Sequence, residues 1–405
     1  MKLQDDPPLH LTYCLNIHPG ESWEENFAAI QEKTLAVKQT VAPDKAFGLG
    51  LRLSAMAAET LRQPKVMADF RAFLDANGLY VFTINGFPYG QFHKGKVKED
   101  VYRPDWSDDA RRDYTNTLAD ILAELLPEGV PGSISTLPLS YKKWFESSGT
   151  VEVGKKDLFR MEANVGDCAW RLADIRRRTG KQIVLAFEPE PDCLMANTKE
   201  AQEYHAVLLK GASSSIMLAR PCPLEVATDI FRRHVGVCVD LCHLAVEFEH
   251  PKTSLERLAR AGIAVGKVQL SSALRCVPTR TTRRRLGEFS ESVYLHQVKV
   301  RKADGRILSY PDLADAPDVR GIKPPDGEEW RIHFHVPLYV AEYGELRSTS
   351  GLYTPELAKL LRSGVTPHLE IETYTFDVLP KETREPDVVR SIVREYQWVL
   401  DYLKQ

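Results

Sequence analysis

Short apolar runs along this chain alternate with stretches in which apolar residues recur every three or four positions. The two periods predict strands and amphipathic helices in turn, the rhythm of βα units around a parallel sheet. Strands are predicted at residues 11–17, 47–53, 80–85, 132–137, 182–188, 236–240, 267–270, 331–337 and 368–374. Helix starts are marked by Ser22-Trp23-Glu24-Glu25 and Thr253-Ser254-Leu255-Glu256, both read as capping boxes, and by Thr354-Pro355, a cap residue before a first-turn proline. Gly78, Gly180 and Gly262 follow helical stretches, where a left-handed cap is wanted, and a last amphipathic helix spans about 388–403.

Nine strands are one too many for an eight-stranded barrel, and the excess falls between Lys267 and Tyr374. Residues 293–310 alternate around an Asp304-Gly305 turn, which predicts a hairpin, and the proline-rich stretch 311–329 predicts a loop. We therefore expect an α/β fold, a single (β/α)₈ TIM barrel over residues 1–405 with a hairpin and loop insertion at 275–330 after the seventh strand. Two domains split near residue 275 are the alternative. Whether 267–270 or 331–337 is the seventh barrel strand stays open at this point.

Composition narrows the function classes. The 405 residues carry 53 Lys and Arg against 56 Asp and Glu, a formal charge of -3, and 43% are hydrophobic, so disorder and coiled coil are excluded for the whole chain. Apolar runs fall far short of the roughly 20 residues that cross a bilayer. The polar start lacks the basic and apolar segments of a secretory signal, and a cytoplasmic protein with no membrane insertion is expected. Seven scattered cysteines read as mostly reduced and buried, with Cys238 in the core. Balanced charge argues against nucleic acid as the main partner, although Arg275, Arg280, Arg283, Arg284 and Arg285 form a local basic cluster.

Polar residues that end apolar barrel strands point into a shared mouth, and this chain has several. Glu188 ends one strand, Asp240 ends the next with His243 three residues on, and Gln269 stands near the end of another. His368, Glu370 and Glu372 share one face of the last strand by the two-residue alternation. Carboxylates converging on one axis repel unless a cation neutralises them, so a divalent metal is the expected partner. Glu188, Asp240, Gln269 and Glu372 are its predicted ligands, with Glu370 as the alternative to Glu372. Asp240 and His243 also read as an ordinary helix cap and first turn. His333 and His335 share a strand face at ligand spacing, and with His296 in the hairpin they are candidate additional ligands. Asn16 and His18 after the first strand, Asn85, Phe87 and His93 after the third and Lys142 after the fourth are predicted to bind substrate, as a mix of aromatic and polar groups at one rim suits a polyol or cyclitol. Phosphate-loop, dinucleotide-binding and nucleophile-elbow motifs are absent.

At these residues the chain resembles the xylose-isomerase-like TIM barrels, the superfamily of sugar isomerases, epimerases and endonuclease IV. The resemblance implies Glu188, Asp240 with His243, Gln269 in place of the more usual His, and Glu372 in the metal slots. Longer strings look like the EboE group of metabolite traffic proteins: Thr-Tyr-Cys-Leu-Asn-Ile-His-Pro-Gly-Glu-Ser-Trp at 12–23, Asn-Gly-Phe-Pro-Tyr-Gly-Gln-Phe-His at 85–93, Ser-Ile-Ser-Thr-Leu-Pro-Leu-Ser-Tyr-Lys at 133–142, Phe-His-Val-Pro-Leu at 334–338 and the segment 368–380. That likeness implies a bacterial pathway handling secondary-metabolite precursors bound for the periplasm, with proteins of that pathway as partners.

The expected activity is isomerisation or epimerisation of a sugar, sugar phosphate or cyclitol. Glu188 and Glu372 would exchange a proton with carbon next to a carbonyl, and His243 would bind an oxygen or shuttle a proton. Mn²⁺ or Zn²⁺ is expected rather than Mg²⁺ if an imidazole ligates. The rivals are a phosphodiesterase related to endonuclease IV and a barrel that binds a metabolite without catalysis.

Overall fold

The computed structural model describes residues 1–90, 98–289, 294–317, 327–376, 379, 382 and 384–405. Its centre is a ring of eight parallel strands: β1 (Leu9–Tyr13), β2 (Phe47–Arg52), β3 (Leu79–Asn85), β4 (Gly132–Thr136), β5 (Ile183–Phe187), β6 (Val235–Asp240), β7 (Ala264–Leu270) and β8 (His368–Ile371). From β2 to β8 each pairs in parallel with the next, and β8 returns to β1. A parallel bridge between Cys14 and Gly50 joins the end of β1 to β2 and closes the ring. The chain is a TIM barrel. Helices cover the outside, so most strand residues are buried on both faces, as a parallel sheet requires.

Local signals explain most of the element boundaries. Ser22 accepts from the Glu25 backbone and Glu25 reaches back to the Ser22 amide, a complete capping box. Thr354 caps the helix Pro355–Arg362, and Gly78 and Gly180 take φ of +59° and +73°. The second predicted capping box does not form. The helix there is Pro251–Arg260, its N-cap is His250, and Thr253 lies inside the first turn, because proline at the first position sets the start earlier. Strand β1 stops at Tyr13, short of the predicted Ile17, and a 3-10 turn at Leu15–Ile17 follows.

The open question of the seventh strand is resolved by pairing. β7 bonds to both β6 and β8, whereas strand Glu329–Val336 belongs to a second, antiparallel sheet. That sheet runs in the order 307–310, 298–301, 329–336, 272–276, 346–348, 342–343, and includes the predicted hairpin as Val298–Arg301 against Ile307–Tyr310. Trp330, Ile332, Phe334 and Val336 face a separate apolar cluster with Leu274, Val298 and Phe289. By the two-residue period, Arg331, His333 and His335 face the other way.

The barrel interior is not purely apolar. Lys267 and Glu370, both wholly buried, pair at 2.6 Å. Glu370 fits only because Gly50 lacks a side chain: a Cβ there would sit 2.1 Å from Glu370 Oε1.

Candidate functional site

Strand ends and the second sheet meet at the carboxyl-terminal mouth of the barrel. A cavity there, about 550 Å³ counted out to solvent, is lined by Glu188, Glu190, Glu372, His243, His333 and His335, with Asn16, Asn85, Phe87, Tyr102 and Tyr374 around them. Glu188 follows β5, Asp240 ends β6, and Glu372 follows β8. These three carboxylates offer oxygens that all lie within 4.8 Å of one another, and the same limit holds for Asp240, His243 and His335, and for Cys242, His333 and His335.

Each side chain is held in place by its neighbours. Asp240 caps the short helix Leu241–Val246 by accepting from the His243 amide at 2.8 Å, so the cap expected of it and its place in the cluster are one arrangement. The Ser271 hydroxyl, just past β7, reaches Asp240 at 2.9 Å. Glu372 Oε1 accepts from the Asn16 amide at 2.8 Å and the Asn85 amide at 3.2 Å. Asn16 gets there through the 3-10 turn after β1. Tyr102 donates to Glu190 at 2.7 Å.

Packing so many acids together shifts their titration. Burial, aided by Asp240, pushes Glu188 up to about 8 even though His243 and Lys267 pull the other way. Burial and the neighbouring Glu188, Asp240 and Glu370 push Glu372 well above the usual range. Asp240 behaves oppositely: burial raises it, but the His243 and His335 imidazoles, the His243 amide and Ser271 outweigh that and hold it low. His243 is raised by Asp240, Glu190 and Glu188 against the effect of burial. Burial pulls His335 down to about 4.

The donor set suits a divalent cation. Glu188 Oε2 and Glu372 Oε2 are buried and have no hydrogen-bond partner among the described residues. Two unpartnered carboxylate oxygens beside a third carboxylate are costly in a dry site and are what a bound cation satisfies.

The other predicted residues are placed as follows. Glu370 is taken by Lys267, which leaves Glu372 as the β8-end acid at the mouth. Gln269 is fully buried, with Oε1 accepting from the Cys238 thiol at 3.1 Å and Nε2 without a partner among the described residues. His296 stacks on Phe334 with ring centroids 4.1 Å apart and is in none of the three donor groups. Asn85 and Phe87 line the cavity. His18 bonds the Tyr13 hydroxyl and lines a neighbouring groove, and Lys142 pairs with Glu200 at 2.6 Å; neither lines the mouth cavity. His93 lies outside the described residues.

Sequence reasoning missed Glu190, Tyr102, Ser271 and Cys242. Glu190 had a signal: it stands two residues after Glu188 in Glu-Pro-Glu, on the same side by alternation. Ser271 had one too, as a polar residue directly after the predicted strand 267–270, whereas Tyr102 had none, since only the fold brings it to the mouth.

The cysteines are unpaired, and all but Cys222 are buried, as expected. Among the described residues no helix is long and apolar enough to cross a membrane.

No family model and no curated protein matches the chain. Solved structures similar to it include an IolI protein with a bound zinc atom (10% identity, 98% of each chain covered, TM-score 0.46). L-ribulose 3-epimerase is similar at 11% identity over 98% of this chain and 94% of the other, with a TM-score of 0.47. A xylose isomerase-like TIM barrel protein from Mycobacterium smegmatis in complex with magnesium has 14% identity over 93% and 89%, with a TM-score of 0.47. At these values the assignment of the fold rests on the closed strand order of the chain itself.

Proposed function

We propose that this protein is a divalent-metal-dependent isomerase or epimerase of a small polyhydroxylated carbonyl compound: a sugar, sugar phosphate or cyclitol. One observation carries the reading: carboxylate oxygens of Glu188, Asp240 and Glu372, from three separate strand ends, converge within 4.8 Å, and Glu188 and Glu372 line the cavity at the mouth. Glu188, Asp240 and Glu372 would hold the ion, Mn²⁺ or Zn²⁺ being favoured over Mg²⁺ by the nearby imidazoles. A bound ion of this kind supplies Lewis acidity that polarises a carbonyl and acidifies the neighbouring C–H.

The chain's own groups do the rest. Glu188 and Glu372 both line the cavity and form the acid-base pair that removes and returns a carbon-bound proton. Asn16 and Asn85 fix the orientation of Glu372, and Phe87 and Tyr374 wall off solvent beside them. His243 donates Nδ1–H to the Pro189 carbonyl at 2.8 Å, so its Nε2 is the atom available to a substrate hydroxyl or a cation.

The test is proton exchange. Purified protein loaded with Mn²⁺ or Zn²⁺ is incubated in D₂O with a panel of ketoses, ketose phosphates and cyclitol ketones, and loss of C–H signal is followed by NMR. Exchange in the native protein that is lost in Glu188→Gln supports the reading. No exchange on any member, or equal exchange in the variant, overturns it. The narrower reading, a substrate from an EboE-type precursor pathway with proteins of that pathway as partners, is supported by the sequence strings alone. It is tested in the same panel by preference for the cyclitol ketones.

The placement of the basic cluster counts against the phosphodiesterase rival, which needs a basic face beside the site. Of the five arginines in the basic cluster none lines the mouth; Arg285 pairs with Glu288 and Glu382, and Arg283 donates to the Leu313 carbonyl.

A further inference from the structure

The second sheet carries a row of positive charge that the chemistry at the mouth does not use. Across four neighbouring strands Lys299 stands opposite Arg331, Arg331 opposite Arg275, and Arg275 opposite Arg347. Side chains paired in this way share one face with Cβ atoms about 4.5–5.5 Å apart, so cations in register repel one another. Trp330 and Ile332 turn to the apolar cluster, which puts the row on the other face of the sheet. There Ala273, two residues before Arg275, shares a buried cluster with Cys242 and Ala245. The row therefore lies along the seam between the second sheet and the barrel.

Acids answer three of these four charges. Lys299 pairs with Asp192 at 2.6 Å and Glu247 at 3.1 Å, Arg331 with Glu329 at 2.8 Å, and Arg347 with Glu342 at 3.5 Å on the exposed edge. Arg275 has no ion pair and no side-chain hydrogen bond among the described residues, and its Nε is buried without a partner. A buried N–H with no acceptor is costly, and here it belongs to a charged group. The repulsion is felt by its neighbour: burial lowers the pKa of Arg331, and Arg301 and Arg275 lower it further against the pull of Glu329.

A groove of about 1130 Å³, counted out to solvent, is lined by Arg275, Arg301 and Arg347 together with Glu328, Glu329 and Glu345. Glu328 is taken by Lys302 and the Trp330 indole, and Glu329 by Arg301 and Arg331, so neither acid is left for Arg275. Glu345 is exposed and pairs with no arginine among the described residues. The groove and the mouth cavity have no lining residue in common.

We propose that Arg275 and Arg347 form an oxyanion site in this groove, separate from the mouth, which takes the phosphate or carboxylate group of a small organic ligand. A guanidinium fork matches two oxygens of either group, and an anion between the two arginines replaces their repulsion with attraction and gives the Arg275 donors their acceptor. The groove is larger than the anion alone, and Val277, 54% exposed on its wall, offers an apolar surface to the rest of the ligand.

The test reads binding and stability in the same samples. Full-length protein, stripped of metal so that no cation at the mouth can hold the anion, is titrated by calorimetry at constant ionic strength with inorganic phosphate, glycerol 3-phosphate and succinate. The expected result is one site per chain, with affinity falling about tenfold or more in Arg275→Met, and the tighter of the phosphate and carboxylate probes identifies the group recognised. Arg347→Met, at the exposed edge, should weaken binding with the fold undisturbed. Without any anion, Arg275→Met should melt at or above the native temperature, because it removes a repelled charge and keeps an unbranched stem. Failure of all three probes to bind the native protein, or unchanged affinity in Arg275→Met, overturns the site. So does a lower melting temperature for Arg275→Met, which would make Arg275 a packing residue of the seam.

Discussion

The buried pair of Lys267 and Glu370 offers a measurable test of how the barrel interior is held together. Both side chains have no solvent exposure, and Nζ lies 2.6 Å from Oε2. At an effective dielectric constant near 20 the attraction is roughly 6 kcal/mol, and desolvating the two charges consumes most of it. The pair is therefore expected to add little net stability, while the loss of one member strands the other charge in the core at a cost of about 3–5 kcal/mol. Burial alone would lower the Lys267 pKa, yet Glu370 and the nearby thiols more than offset it, so the ammonium stays charged. Lys267→Met and Glu370→Met should each destabilise by about 3–5 kcal/mol, and the double variant should be less destabilised than the sum by at least about 2 kcal/mol. Urea unfolding followed by both tryptophan fluorescence and far-UV circular dichroism gives the four free energies of the cycle. Additive single effects, or a Lys267→Met variant within about 1 kcal/mol of the native protein, would refute the assignment of charge to this pair.

Four further outcomes are expected. Gly50→Ala should destabilise by about 1–3 kcal/mol in the same assay, because the new methyl would overlap Glu370 Oε1 and press on the Tyr13 carbonyl; an unchanged midpoint would contradict the close approach. Glu395 is buried and pushed up to about 7 by burial, against the donors Thr373 and the Leu338 amide. Its protonated form is thus favoured in the fold, so its contribution is fully present below about pH 4.5 and is lost as pH rises through about 7, at most about 3 kcal/mol. Glu395→Gln should flatten the stability profile between those limits by that part, and a profile parallel to the native one would refute it. Asn85→Ala removes one of the two amides on Glu372 and should weaken metal binding about tenfold or more by competition with a chelating dye; equal affinity would remove Asn85 from the supporting network. A thiol reagent should label one cysteine, Cys222, in the folded protein and all seven in urea; fast labelling of several in the fold would disagree with their burial.

The barrel was legible because strands covered on both faces read as apolar runs and because helix starts and stops carry their own chemistry. Glu188, Asp240 and Glu372 were legible for a related reason: an acid ending an apolar strand has few places to point. Lys267 was not. In the sequence it looks like a polar residue at the start of a short strand, and its role as the internal counter-charge of Glu370 depends on the neighbouring strand being in register. Tyr102 reaches the mouth from a segment with no periodic signal. Conversely, His18 and Lys142 sit after strands as substrate residues would, but local partners, Tyr13 and Glu200, hold them elsewhere. Thr253 shows the same limit in miniature, a cap signal overridden by a proline two residues earlier.

Strand Glu329–Val336 turns one face toward its own apolar cluster and the other toward the barrel, and that double duty has a price in assembly. The ring can close through Cys14 and Gly50 without it, yet His333 and His335 arrive only once the second sheet has seated on the rim. A molecule filling the cavity, whose lining comes from both sheets, would then act as a clasp and slow their parting.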